Sequence, residues 1–218
     1  MLASQFLHTG FPSVQLTDKI SFALQLMDDY DVQHLPVVNE EKCVGLIAKS
    51  DALDADENHP VAALETQLIK VFVKEEDHFL NALKLFADAE ITLIPVVNEN
   101  QEIRGVITST TLLKNISHFL GTQEPGGLIV LEIDKRHFSF GEISRLVETN
   151  DAYITQLNTT LITDTQILVT IKINKAEISD IVATFQRFDY QIRYYFGEEQ
   201  YANELKENYH HLMAYLNI

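Results

Sequence analysis

The chain has 218 residues, 46% of them apolar, which is enough to build packed cores and excludes a disordered polymer. Against 16 Lys and Arg stand 32 Asp and Glu, a formal net charge of −16. A surface that negative repels phosphate backbones and anionic lipid, so neither a nucleic acid nor a membrane partner is expected, while one small anion in a local pocket is compatible with it. The single cysteine, Cys43, can form neither an internal disulfide nor a multi-cysteine zinc site. There is no basic residue before Lys19 and no apolar run long enough for a signal peptide or a membrane span, so a soluble cytoplasmic protein is expected.

The first half is internally repeated. Residues 35–53, LPVVNEEKCVGLIAKSDAL, return at 94–113 as IPVVNENQEIRGVITSTTLL, with Pro36–Glu40 matching Pro95–Glu99 letter for letter. The preceding segments align at the same offset of 59, Asp18 on Asp77 and Val32 on Ile91. In each copy a short extended piece (12–16; 69–73) leads to a carboxylate, Asp18 or Asp77, placed to cap a helix. The helix shows its apolar face at Ile20, Ala23, Leu24 and Met27, or at Phe79, Ala82, Leu83 and Phe86. A strand opening near Pro, an Asn-Glu turn, a second strand and a further helix complete a β-α-β-β-α unit. Units this small bury too little surface alone, so the two are expected to pack together.

The paired pattern of hydrophobic-Pro-Val-Val, then Gly-hydrophobic-Ile and a downstream Leu, resembles a tandem pair of CBS domains, a Bateman module. The resemblance implies regulatory binding of adenosyl ligands (AMP, ATP or S-adenosylmethionine) between the repeats, through a Gly-x-x-Ser/Thr-x-x-Asp signature. Its hydroxyl sits where a strand gives way to a helix N-terminus suited to phosphate, and its carboxylate takes the ribose hydroxyls. Each copy here keeps half. Gly45-Leu46-Ile47-Ala48-Lys49-Ser50-Asp51 has the carboxylate but Ala48 for the hydroxyl; Gly105-Val106-Ile107-Thr108-Ser109-Thr110-Thr111 has Thr108 but Thr111 for the carboxylate. The resemblance places the ligand against Leu35, Pro36, Ala48 and Asp51 in the first repeat and Ile94, Pro95, Thr108 and Thr111 in the second, with the Asp51 site the stronger. His34, just before Leu35, stands near the expected ligand mouth. A lost hydrogen bond to a charged group costs roughly 1.5–3 kcal/mol, so the competing reading is an interaction module whose sites have decayed.

After a Gly- and Pro-bearing linker at 121–127 the periods read β-α-β-β-α-β, a ferredoxin-like order. Residues 128–134 form an apolar strand, and Phe140, Ile143, Leu146 and Val147 mark a helix. Tyr153–Thr163 alternates, with Ile154, Gln156, Asn158 and Thr160 on one side and Tyr153, Thr155, Leu157, Thr159 and Leu161 on the other. A strand at 167–173, a helix face of Ile178, Ile181, Val182 and Phe185, and a strand at 190–196 follow. LEIDKRHFSFGEISRLVE resembles the opening of an ACT domain, with Asp134, Lys135 and Arg136 in place but His137 and Phe138 where the family has Pro-Gly. The filled Pro-Gly position implies packing or dimerisation rather than amino-acid binding. The chain as a whole resembles bacterial acetoin-utilisation-type CBS proteins. A last amphipathic helix is expected from Glu198, striped by Tyr201, Leu205, Tyr209, Leu212 and Leu216.

The expected chain is thus α/β (α+β): CBS repeats at 1–62 and 63–121, an ACT-like domain at 127–197 and a C-terminal helix at 198–218. No catalytic motif and no metal-ligand spacing is present; the adjacent pair His210-His211 diverges by roughly 100° on a helix. The expected protein is a non-enzymatic, homodimeric sensor, without a resident cofactor, whose partner is a small adenosyl molecule.

Overall fold

A computed structural model describes residues 1–198. The chain divides after Ile116 into two compact units. The C-terminal helix expected from Glu198 onward lies outside the described residues.

In the first unit, β1 (Val14–Gln15), α1 (Ile20–Asp29), β2 (His34–Asn39), β3 (Lys42–Ala48) and α2 (Lys49–Asp54) are followed by β4 (Val73–Lys74), α3 (Phe79–Ala89), β5 (Leu93–Val97), β6 (Ile103–Thr108) and α4 (Ser109–Phe119), whose last three residues fall past the division. Each repeat carries a three-stranded sheet with the same connectivity, β1-β2-β3 and β4-β5-β6, the first pair parallel and the second antiparallel. Ile20, Ala23 and Met27 of α1 are fully buried against β2 and β3, as Phe79 and Ala82 of α3 are in the second core. The expected face of α1 holds, with Leu24 partly buried beside it; on α3 Leu83 is exposed, and Leu85 packs on the core with Phe86 instead.

Asp18 and Asp77 do not cap these helices. Lys19 and His78 occupy the cap positions, and the two carboxylates reach backward instead. Asp18 accepts from the Gln15 amide at 2.7 Å and Asp77 from the Lys74 amide at 2.9 Å. Each ties the turn from strand to helix, a local alternative open to any Asp.

Both β hairpins bulge at one place. Val37 pairs with Gly45 but Val38 with Cys43; Val96 pairs with Gly105 but Val97 with Ile103. Beside each glycine a segment crosses over from elsewhere in the chain. The His8 amide donates to the Val106 carbonyl at 2.8 Å and the Val106 amide returns a bond at 3.2 Å. Ile69 and Leu46 exchange the equivalent pair, both at 2.9 Å. A Cβ on Gly105 would meet the His8 carbonyl oxygen at 2.8 Å, and one on Gly45 the Ile69 oxygen at 2.9 Å. The glycines are there because a backbone passes close by. The N-terminal residues serve the second repeat further: the Ala3 and Ser4 amides donate to Asp77 and Glu75, and Phe6 meets Phe79 edge-on with ring centroids 5.7 Å apart.

The second unit contains β7 (Gly127–Asp134), α5 (Phe140–Glu148), β8 (Ile154–Leu161), β9 (Gln166–Ile173), α6 (Ser179–Arg187) and β10 (Gln191–Phe196). Its four strands are antiparallel in the order β10-β7-β9-β8, a ferredoxin-like arrangement. Ile129, Leu131 and Ile133 of β7 and the alternate residues of β9 face Ile143, Val147, Ile181 and Phe185 of the two helices. The strict alternation expected along β8 fails at its start. A bulge between Ile154 and Gln156 shifts the phase, so Ile154 and Leu157 both pack on the core. Thr155, the extra residue, donates its hydroxyl to the Lys172 carbonyl at 3.2 Å.

Candidate functional site

Thr108 ends β6 at the step into α4. Its oxygen accepts from the Thr111 amide at 3.2 Å and its hydroxyl donates to the Thr111 hydroxyl at 3.0 Å. The retained hydroxyl and the residue that replaces the carboxylate thus satisfy one another, and Thr108 caps the helix. Beside it lies a cavity of about 500 Å³. One wall is Thr92, Leu93 and Thr108–Thr110 of the second repeat; the opposite wall is the Tyr30–Gln33 loop of the first repeat, with His8 and Phe11 closing one side. The rings of His8, Phe11 and Tyr30 follow one another at centroid separations of 5.8 and 6.2 Å. Asp31 adds a carboxylate from a residue held in the left-handed region, φ 51°. The arrangement offers aromatic surface to a planar ring and a carboxylate to hydroxyl donors, beside the start of an eleven-residue helix whose Ser109 and Thr111 amides are already bonded to the Thr92 carbonyl and the Thr108 oxygen.

The corresponding step in the first repeat is built differently. Ala48 ends β3 and contributes no side-chain cap to α2, while Asp51 stands in the first turn, half-buried. Lys49 is held by Asp28 of α1 at 2.5 Å. His34 is buried, and its ring Nδ1 lies 3.0 Å from the Thr92 hydroxyl and 3.3 Å from the Thr92 amide. Burial lowers its pKa, and the charge of Asp51 acts in the opposite direction.

Of the eight residues expected to touch ligand, Thr108 alone lines this cavity. Leu35 and Ile94 are fully buried in the cores of their repeats, and Pro36 and Pro95 are buried behind them in β2 and β5. Ala48 and Asp51 stay together at the first-repeat step, and Thr111 sits behind Thr108. The sequence reading missed Phe11, Tyr30, Asp31 and Thr92. The offset of 59 that sets Asp31 on Glu90 and Gln33 on Thr92 marks these loop positions as equivalent, which was the available signal.

In the second unit Asp134 accepts from the Arg136 amide at 2.9 Å and takes both Nε and a terminal nitrogen of the same guanidinium, at 3.0 and 2.8 Å. The guanidinium holds that carboxyl well below the usual carboxylate range. Phe138 packs on the core. A cavity of about 370 Å³ beside this loop is lined by Glu132, Asp134, His137, Glu142 and Asp189; Arg193 and Arg136 pair with Glu132 and Asp134, so Glu142 and Asp189 are the carboxylates that oppose the carboxylate of an amino acid there.

The repeats, their shared cleft and the strand-to-helix steps define a paired regulatory module, and the chain belongs to the CBS domain family, whose profile matches residues 3–58 and 66–118. An inosine-5'-monophosphate dehydrogenase of Methanocaldococcus jannaschii is 27% identical over 139 residues, 62% of this chain and 28% of that enzyme. A homoserine O-acetyltransferase of Methanocorpusculum labreanum is 29% identical over 104 residues, 46% of this chain and 21% of that enzyme. The chain therefore spans less than a third of these relatives' length, and the dehydrogenases match through their CBS part. Among solved structures, a CBS domain pair/ACT domain protein from Thermotoga maritima is 25% identical with a TM-score of 0.51, covering 55% of this chain and 99% of that one.

Proposed function

We propose that this chain is a ligand-sensing regulatory protein whose CBS pair binds an adenosyl ligand (AMP, ATP or S-adenosylmethionine) between its repeats, with the second unit, an ACT-type domain, reading the result. The observation that carries the reading is the cavity of about 500 Å³ at Thr108, with aromatic rings, a carboxylate and a helix start around one space. On this reading the favoured site is the second-repeat step rather than Asp51. The ACT reading draws on the ferredoxin-like strand order and on the module order named for the Thermotoga protein. A negative chain favours ligands of low charge, or ATP accompanied by Mg²⁺. The protein would work as a cytoplasmic homodimer, without an active site of its own.

Thermal shift with adenosine, AMP, ADP, ATP with and without Mg²⁺, and S-adenosylmethionine tests this. At a hundred times its dissociation constant a ligand adds about 2.7 kcal/mol of stability. Asp31→Ala and Tyr30→Ala should remove the strongest response, and Asp51→Ala should leave it. Absence of any shift at millimolar concentration would favour the interaction-module reading, which the mutual bonding of Thr108 and Thr111 already supports.

A further inference from the structure

One side chain joins the two strand-to-helix steps. His34 opens β2 in the first repeat, and its partner across the hairpin is Ala48, the residue standing where a hydroxyl is expected. The same pair in the second repeat is Leu93 and Thr108. Exchange of a hydroxyl-bearing side chain for a methyl accompanies exchange of Leu for a polar ring, and only 9% of His34 is exposed. The ring reaches across to Thr92 of the second repeat, meeting its amide and its hydroxyl at Nδ1. A backbone amide can only donate, so Nδ1 is the acceptor, the ring proton is on Nε2, and the Thr92 hydroxyl points its hydrogen at the ring. The carbonyl of that same Thr92 accepts from the Ser109 amide at 3.0 Å, at the first residue of α4. Thr92 and Ser109 both line the cavity.

Asp51 stands three residues beyond Ala48, the cross-strand partner of His34, in the first turn of α2, and its charge opposes the effect of burial on the ring. Lys49, on the same helix, is engaged by Asp28 of α1, and Asp31 and Glu90, on the loops entering β2 and β5, are exposed. We infer that His34 is a positioning residue that couples the two candidate sites, carrying a change at Asp51 in the first repeat through its ring to Thr92 and Ser109 at the cavity in the second. Thr92 has two arrangements. With a neutral ring its amide and hydroxyl both donate to Nδ1. With a protonated ring Nδ1 carries a hydrogen, the amide loses its acceptor and the hydroxyl rotates to accept. A hydroxyl-bearing ligand donating to Asp51 disperses the charge that favours the protonated ring, and so holds Thr92 in the first arrangement. No reverse relay exists, because Leu93 and Gln33 occupy the places of His34 and Thr92 in the other direction.

A ligand at the first-repeat step, separate from the cavity of the proposed function, would be what perturbs Asp51, but the relay belongs to the free chain and is tested there. The measurement is a pH titration by NMR of the full, ligand-free protein, following the His34 imidazole and the Thr92 and Ser109 amides. The two amides should titrate with the midpoint of the ring, and Asp51→Asn should move that common midpoint to lower pH. His34→Asn keeps an acceptor for the Thr92 amide, so the fold and melting temperature should hold while the titration of both amides disappears. Amides that ignore the ring, a midpoint indifferent to Asp51→Asn, or a ring that stays neutral throughout the folded range would each overturn the inference. Failure of every adenosyl compound to bind would remove the sensing function and leave these shifts in place.

Discussion

Replacing Gly105 with Ala isolates the close approach between the N-terminal segment and β6. The new Cβ would lie 2.8 Å from the His8 carbonyl oxygen and 3.3 Å from its carbon. These are backbone atoms, so the strain cannot be relieved by turning a side chain. Two hydrogen bonds must lengthen or break, His8 amide to Val106 and Val106 amide to His8. At roughly 0.5–1.5 kcal/mol net for each, the loss is about 1–3 kcal/mol, or roughly 2–12 °C of melting temperature for a chain of this size. Gly45→Ala should cost more, since Gly45 combines a 2.9 Å approach to the Ile69 oxygen with φ of 150°. Thermal unfolding measures the loss, and amide exchange at His8 and Val106 locates it. An unchanged melting temperature in Gly105→Ala, with both amides still protected, would refute the claim that space beside the bulge makes this residue glycine.

Light scattering at micromolar concentration should give about twice the 24.8 kDa chain mass; Leu53→Glu with Leu113→Glu, on residues 64% and 68% exposed on α2 and α4, should yield a monomer that remains folded. His34 predicts a pH dependence of stability. Burial lowers its pKa from 6.5, so the unfolded chain takes up a proton at higher pH than the native one, and this contribution, full above 6.5, is lost as pH falls through the window below it. The urea midpoint of His34→Leu should fall less steeply between pH 7 and 5 than that of the unsubstituted chain.

The repeated PVVNE cores and the helical spacing of Ile20, Ala23 and Met27 made the β-α-β-β-α units legible, because burial enforces a period that survives in the letters. Asp18 and Asp77 were expected as helix caps and bond backward instead, because an Asp before a helix bonds forward as a cap or backward as a turn at similar cost. The phase of β8 was lost at Thr155, since a bulge leaves no residue-type mark. At the site, Thr108 was legible because it ends a strand inside a repeated motif. Phe11, Tyr30, Asp31 and Thr92 come from three separate stretches of chain and meet only through the packing of one repeat on the other. Gly45 and Gly105 stood in the sequence as part of a ligand signature, whereas their contacts are with the crossing backbones of Ile69 and His8.

Those crossing segments also bear on how such a pair can be taken apart. Similarity draws its line between the repeats, yet hydrogen bonds run over that line in both directions, from His8 to β6 and from Ile69 to β3. Each repeat borrows its outermost backbone partner from the stretch of chain ahead of the other. A single repeat excised at the similarity boundary would keep the piece its neighbour needs and lack the piece it needs itself, leaving an open edge on its own sheet. The interlocked pair, rather than the sixty-residue motif, is the smallest inheritable part in which those edge groups are satisfied, and the first eight residues are structural members of a repeat that begins some sixty positions later.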